Sequence, residues 1–152
     1  MAHEDSLEEL HERRSTAEAG GGMKKLETIR ASGRGTARER IRKLVDEGSF
    51  NELDTFVNHR SSSGNLHMLS HLGDGVVAGH GTLDGRRVYC FAQDFSVHGG
   101  SMGEMHARKI AKVVEMAERA KVPLIGIWDG GGQRAQDGVA SVSYTHLRAH
   151  ET

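Results

Sequence analysis

The stretch PLIGIWDGGGQRAQDG, Pro123–Gly138, runs from a short apolar segment into a carboxylate, three consecutive glycines and an arginine. Leu124–Trp128 has the length and composition of a buried strand, and Asp129 marks the point where the chain turns. Pro123 suits the entrance of that strand, where a missing N–H is tolerated. Gly130–Gly132 is then either a flexible spacer or bare backbone that must approach a ligand. Glycine serves both ends, because it takes positive φ freely and carries no Cβ.

The segment upstream, VHGGSMGEMHARKIAKVVEMAERAKVP, changes period. Met102, Met105, Ile110, Val113, Ala117 and Ala120 form the apolar packing stripe of a helix, with Ser101 and Glu104 expected as its capping box. Before it, GVVAGHGTL and RRVYCFAQDF flank Asp84–Gly85, a pair suited to a tight hairpin turn. The second hairpin strand, the helix and the next strand make a crossover unit, so the chain belongs to the α/β class with a largely buried sheet. Earlier still, GTARERIRKLVDEGSF predicts a helix capped by Thr36 and Glu39, with Ile41, Leu44 and Val45 inward and an end before Gly48. Its Arg38, Arg40, Arg42 and Lys43 are either a solvated face or a hold on an anionic ligand or partner subunit. Ser6 and Glu9 predict a further capped helix, which the glycines of EAGGGMKK interrupt.

A formal net charge of −1 gives no global reason to expect nucleic acid or an anionic membrane as partner. The single cysteine, Cys90, excludes an internal disulfide, and its neighbours Tyr89 and Phe91 mark it as a buried strand thiol. MAHEDSLEELHERR lacks the apolar core of a signal peptide, and no apolar run has the length of a membrane span, so a cytoplasmic location is expected. His67 and His71 have helical spacing but no third ligand nearby, and no metal site is expected.

Two sheet-to-helix junctions remain, AQDFSVHGGSMG and WDGGGQRAQDG. In open α/β folds ligands gather at such junctions, and backbone N–H groups there can stabilise a carbonyl oxygen that becomes negative during reaction. Neither junction carries a dinucleotide fingerprint, a phosphate-binding loop with its lysine, or a nucleophile elbow. Ser101 reads as a helix cap, Asp94 and Asp129 as acceptors that hold the turns, and His98 as a turn histidine or a substrate contact.

At these junctions the chain resembles the N-terminal part of the carboxyltransferase (β) subunit of biotin-dependent acyl-CoA carboxylases, of the propionyl-CoA carboxylase and methylmalonyl-CoA carboxyltransferase type. GRGTARERIRKLVDEGSFNELDTFVNHR, GDGVVAGHGTLDGRRVYCFAQDFSVHGGSMGEMHARKI and VPLIGIWDGGGQRAQDGVAS follow the family pattern in order, covering Gly21 to Ser141. The resemblance implies a ClpP/crotonase-like fold of repeated β-β-α units, here incomplete. Residues 1–35 are expected to be a helical, glycine-rich segment, 36–141 a partial carboxyltransferase domain, and 142–152 a non-native tail that resembles adapter-derived endings.

The resemblance further implies transfer of a carboxyl group from carboxybiotin, on a separate carrier, to the α-carbon of a short-chain acyl-CoA, propionyl-CoA or acetyl-CoA. The alternatives are a biotin-dependent acyl-CoA decarboxylase subunit and an inactive truncated product. The family's DSGGARIQEG falls on Asp129–Gly138, which places the amide donors at Gly131, Gly132 and Gln133, with a second donor expected from a later glycine turn. Phe95, Ser96, His98, Gly99 and Gly100 are expected to shape the acyl-CoA cleft, and Arg134 to anchor the loop before contacting substrate. Gly130, Gln133, Ala135 and Asp137 depart from the family's Ser, Ala, Ile and Glu. Implied partners are biotin carboxylase, the biotin carrier and further copies in a hexamer, and the isolated fragment is expected to be inactive.

Overall fold

Asp84 and Gly85 both take positive φ, 50° and 75°, and this reverses the chain between β2 (Val76–Leu83) and β3 (Arg86–Gln93) in a computed structural model that describes residues 2–60 and 71–137. The hairpin is antiparallel, in register from Leu83 opposite Arg86 to Val76 opposite Gln93. Asp46 ties its turn from outside: the carboxylate accepts the Thr82 hydroxyl at 2.5 Å and the N–H groups of Gly85 and Asp84 at 2.9 and 3.0 Å. The Thr82 bond, then the Gly85 bond, hold that carboxyl below the usual carboxylate range.

β1 (Asn51–Leu53) pairs antiparallel with β2, and β4 (Leu124–Ile127) pairs parallel with β3, giving the order β1-β2-β3-β4. The crossover to β4 is helix α4 (Glu104–Ala120). Strand alternation sorts the core into two layers. Val88, Cys90 and Ala92 of β3 pack with Val77 against Ala37 and Ile41 of α3 (Ala37–Leu44). Tyr89 and Phe91, one register over, pack with Val76 and Ala78 against Ile110 and Val113 of α4. One helix therefore covers each face. Burying a side chain such as Ile41, wholly inaccessible here, stabilises by roughly 1.5–3 kcal/mol. Cys90 lies in the α3 layer as expected, and burial pushes its thiol up to about 11.

The Thr36–Glu39 capping box of α3 forms, with both reciprocal bonds in place. The other two do not. α1 spans Ala2–Glu18, so Ser6 sits inside a helix, and α4 starts after an N-cap at Gly103 while the Ser101 hydroxyl donates to the His98 carbonyl at 2.8 Å. Glu104 pairs with Arg108 instead, at 2.8 Å. The apolar stripe of α4 is also shifted: Ala120 is exposed, whereas His106 and Lys109 are buried. β4 is half-buried and not enclosed, because it forms the edge of the sheet among the described strands.

A further helix, α2 (Met23–Ala31), follows the first glycine run and buries Leu26 and Ile29. That run does more than break a helix. The Gly21 N–H donates to the Ser96 hydroxyl at 2.9 Å, and a Cβ at Gly21 would overlap the Ser96 carbonyl oxygen. The N-terminal segment is thereby pressed against the loop that follows β3. His67 of the histidine pair and the tail from Val142 lie outside the described residues.

Candidate active site

The two glycine junctions lie side by side. The Gly131 N–H donates to the Gly99 carbonyl at 3.0 Å, Met102 N–H to Gly132 at 2.8 Å, and Arg134 N–H to Met102 at 2.9 Å. Met102 and Gln133 thus form a parallel bridge. Contact this close needs bare backbone at Gly100 and Gly130: a Cβ on the first would overlap the Asp129 carbonyl oxygen, and one on the second the Gly100 carbonyl oxygen. Gly130–Gly132 is therefore no spacer.

Of the three residues expected to present amides, Gly131 uses its N–H to lock the turns together. Gly132, at φ 96°, donates to no acceptor among the described residues. The Gln133 N–H points away from Met102, as the parallel bridge requires. An available amide therefore sits at Gly132, beside a cleft of about 510 Å³ lined by Gln93, Met102, Trp128, Asp129, Gly130, Gly132 and Gln133.

Arg134 is an anchor. Its guanidinium is buried, donating to an Asp74 carboxylate oxygen at 2.5 Å and to the Ser101 carbonyl at 2.9 Å, so one side chain clasps both turns. Removing either partner of such a buried pair costs roughly 3–5 kcal/mol, since the other charge is stranded. The second Asp74 oxygen accepts the His106 N–H at 2.9 Å. Asp74 consequently caps the first turn of α4 from far away in sequence, the work expected of Ser101. Lys109, one turn on, donates to the carbonyls of Val76 and Gly73 at 2.6 and 3.0 Å, and burial pushes its ammonium down to about 8.

Asp129 and Asp94 hold the turns as expected. The Asp129 carboxylate receives Arg34 and Arg40, and its N–H donates to Gln93 Oε1 at 2.9 Å. Asp94 accepts the Ser96 hydroxyl at 2.6 Å and the Ser96 N–H at 3.0 Å. Arg34 also lies over the Phe95 ring, 4.9 Å from its centroid, so it touches both junctions. The cationic face of α3 is in part internal scaffolding: Arg40 holds Asp129, and Arg38 pairs with Glu52 at 2.8 Å. Arg42 only approaches Glu18, at 3.8 Å, with both side chains exposed.

His98 sits edge-on to His71, with ring centroids 5.3 Å apart. Burial lowers both, reinforced by Arg134 for His98 and by Lys25 for His71. Phe95 is exposed and, with Ser96, Gly99 and Lys25, Thr28 and Ile29 of α2, lines a second cleft of about 280 Å³. A larger groove of about 880 Å³ runs between α1 and the α3–β1 connection. It is lined by the Arg38–Glu52 and Arg42–Glu18 pairs and contains no residue of the glycine junctions, so size alone does not mark the site.

Asp74, Gln93, His106 and Arg34 are the site residues that motif reading passes over. Gln93 had a signal: strand alternation puts it on the face of Tyr89 and Phe91, toward α4.

The Carboxyl transferase domain family matches residues 29–150. The chain is 51% identical over 139 residues to the propionyl-CoA carboxylase beta chain of Cereibacter sphaeroides, covering 91% of this chain and 27% of that protein. It is 52% identical over 136 residues to the biotin-dependent acetyl-/propionyl-coenzyme A carboxylase beta5 subunit of Mycobacterium tuberculosis, covering 90% and 25%. The transcarboxylase 12S structure, a hexamer with methylmalonyl-coenzyme A and methylmalonic acid bound, matches with a TM-score of 0.91 at 39% identity, over 93% of this chain and 28% of that one. The chain thus spans about a quarter of the length of the curated relatives it matches.

Proposed function

We propose, from the premise that this chain belongs to the carboxyl transferase domain family and has part of its crotonase-like α/β fold, that it forms the acyl-CoA-binding wall of a carboxyltransferase. The reaction is carboxyl transfer to the α-carbon of a short-chain acyl-CoA, with propionyl-CoA the first candidate and acetyl-CoA the second. The observation that carries this reading is the Gly132 amide, held in the turn after β4 and given no protein acceptor among the described residues.

The chemistry asks for such a group. Loss of the α-proton moves negative charge onto the thioester oxygen, and a fixed N–H meets that charge without reorganising, a contribution of roughly 3–4 kcal/mol for one donor in comparable sites. The Gly131–Gly99, Met102–Gly132 and Arg134–Met102 bonds keep the donor in place. Trp128 and Met102 give the cleft an apolar wall that strengthens the interaction. Gln133 lies on the same wall, where its side chain limits the room beside the acyl group. In the neighbouring cleft Phe95 and Gly99 offer a surface to the CoA moiety, with Lys25 a cation for its phosphates. Ser96, Gly100 and Arg134 hold the wall from within, and His98 stands behind it.

Carboxybiotin, on a carrier, supplies the carboxylate, and no residue of this chain is assigned to hold it. Biotin carboxylase, the carrier and further copies in a hexamer are the proposed partners, and the cytoplasm the proposed location. No helix among the described residues is long and apolar enough to cross a membrane.

Trp128 is the sole tryptophan of the chain and lines the cleft, so its fluorescence reports this site alone. Propionyl-CoA is expected to change that emission saturably while propionate leaves it unchanged. A chain folded by circular dichroism that gives neither an emission change nor calorimetric heat with propionyl-CoA would sink the reading.

A further inference from the structure

The hydrogen bonds behind the glycine wall leave only one arrangement of protons. His106 Nδ1 lies 3.0 Å from the Asp74 carbonyl oxygen, which can only accept, so Nδ1 carries a hydrogen. At the other end, Asp129 N–H can only donate, so the Gln93 atom 2.9 Å away is its oxygen. That orientation turns the Gln93 amide nitrogen toward His106 Nε2, 3.4 Å away, which must then be a bare lone pair. The two ends were fixed independently, and they agree on one histidine tautomer and one amide orientation.

Resting on the carboxyltransferase reading above, we propose that Gln93 and His106 are positioning residues for the proposed reaction: a directional chain from the Asp74 carbonyl through His106 and Gln93 sets the Asp129 peptide, and with it the turn that presents the Gly132 amide. Arg34 and Arg40 hold the Asp129 carboxylate, whereas its peptide N–H is held by Gln93. Asp129 N–H is the last donor before the glycines, and Gln93 Oε1 presses so closely on Gly130 that no Cβ fits between them. A rotation of Gln93 therefore moves the turn. Both side chains are buried, 5% exposed for Gln93 and 0% for His106, so water does not substitute for a missing partner.

The charges around the pair keep the imidazole neutral. His106 faces Asp74 from the loop before β2, Arg134 from the turn after β4 and Lys109 on its own helix. Asp137 reaches Arg134 from behind at 3.6 Å, and Asp129, held by Arg34 and Arg40, closes the far side of Gln93. Burial first, then Arg134, pushes the imidazole down to about 3. Within the working range of an enzyme the imidazole takes up no second proton.

Gln93→Glu tests the idea, because it keeps the acceptor for Asp129 and deletes the donor to His106. Glutamate oxygen and Nε2 lone pair then face each other unless they share a proton. The host is a full-length carboxyltransferase subunit, the Cereibacter sphaeroides beta chain, carrying this chain in place of its matching segment. In Gln93→Glu, kcat is expected to fall about tenfold at about pH 8.5 and to return within about threefold of the parent at about pH 6, with KM for propionyl-CoA within about twofold. Adding His106→Gln, whose amide offers an N–H to the glutamate, is expected to abolish the new pH limb. A Gln93→Glu subunit that assembles only when His106→Gln is added supports the proposal equally. It is overturned if the Gln93→Glu profile parallels the parent, if the limb survives in the double variant, or if neither variant assembles at about pH 6. An inactive parent chimaera tells against the carboxyltransferase reading itself, which separates the two failures.

Discussion

His106 is expected to make this fold acid-sensitive by an amount that can be worked out. Its imidazole is neutral in the native state because burial pushes it from an ordinary 6.5 down to about 3. Between those values the unfolded chain binds a proton that the native chain does not. Stability is therefore complete above about pH 6.5 and is lost as pH falls, at about 1.4 kcal/mol per pH unit for one group. From about pH 6.5 to about pH 4.5 the loss is roughly 2–3 kcal/mol, a large share of a typical domain's 5–15 kcal/mol. Carboxylates such as Asp46 and Glu39, held below their ordinary values, add an acid loss of their own, so the wild-type curve alone does not isolate the histidine. His106→Gln does. The variant gives up the N–H to the Asp74 carbonyl and starts about 1–2 kcal/mol less stable near neutrality. It has no proton to take up, so urea unfolding followed by circular dichroism should show the gap closing, and then reversing, as pH falls to about 4.5. A gap that stays constant across that range refutes the neutral buried imidazole.

Two further outcomes test the packing. Gly100→Ala is expected to cost at least about 2 kcal/mol, because φ is 67° and a Cβ overlaps the Asp129 carbonyl oxygen, whereas Gly131→Ala, with ordinary van der Waals room and no positive φ, should stay within about 0.5 kcal/mol of the parent. Equal costs in urea unfolding would mean that the two turns are not in contact. Cys90, buried and pushed up to about 11, should react with iodoacetamide at about pH 8 at least tenfold more slowly in the native chain than in denaturant; comparable rates would place it outside the α3 layer.

The parts of this molecule legible in sequence are those set by local chemistry. Asp84–Gly85 made its turn because both residues tolerate positive φ, the Thr36–Glu39 box formed because its two bonds are three residues apart, and the glycine junctions marked where backbone must come close. What was not legible depends on partners distant in the chain. Ser101 and Glu104 have the spacing of a capping box, yet Asp74 supplies the cap: its carboxylate, buried and fixed by Arg134, accepts the His106 N–H, while the Ser101 hydroxyl turns back to the His98 carbonyl. His106 and Lys109 look like polar positions on the helical period, but both find buried acceptors in the residues leading into β2. The N-terminal glycines read as a break, since nothing local shows that Ser96 would lie against Gly21. β4 reads as enclosed by composition, while enclosure depends on what lies on its other side.

Three of the bonds joining the two turns, Gly131 to Gly99, Met102 to Gly132 and Arg134 to Met102, run from main chain to main chain. Their geometry is written in peptide groups, which all residues share, and so it is inherited independently of most side chains along it. An exposed cleft position such as Gln133 can change, and with it the size and polarity of what the cleft admits. Gly100 and Gly130 cannot, since each faces the other's backbone without room for a single added carbon. On the proposed function, a lineage built on this wall can change its acyl preference in small steps and keep the Gly132 amide throughout.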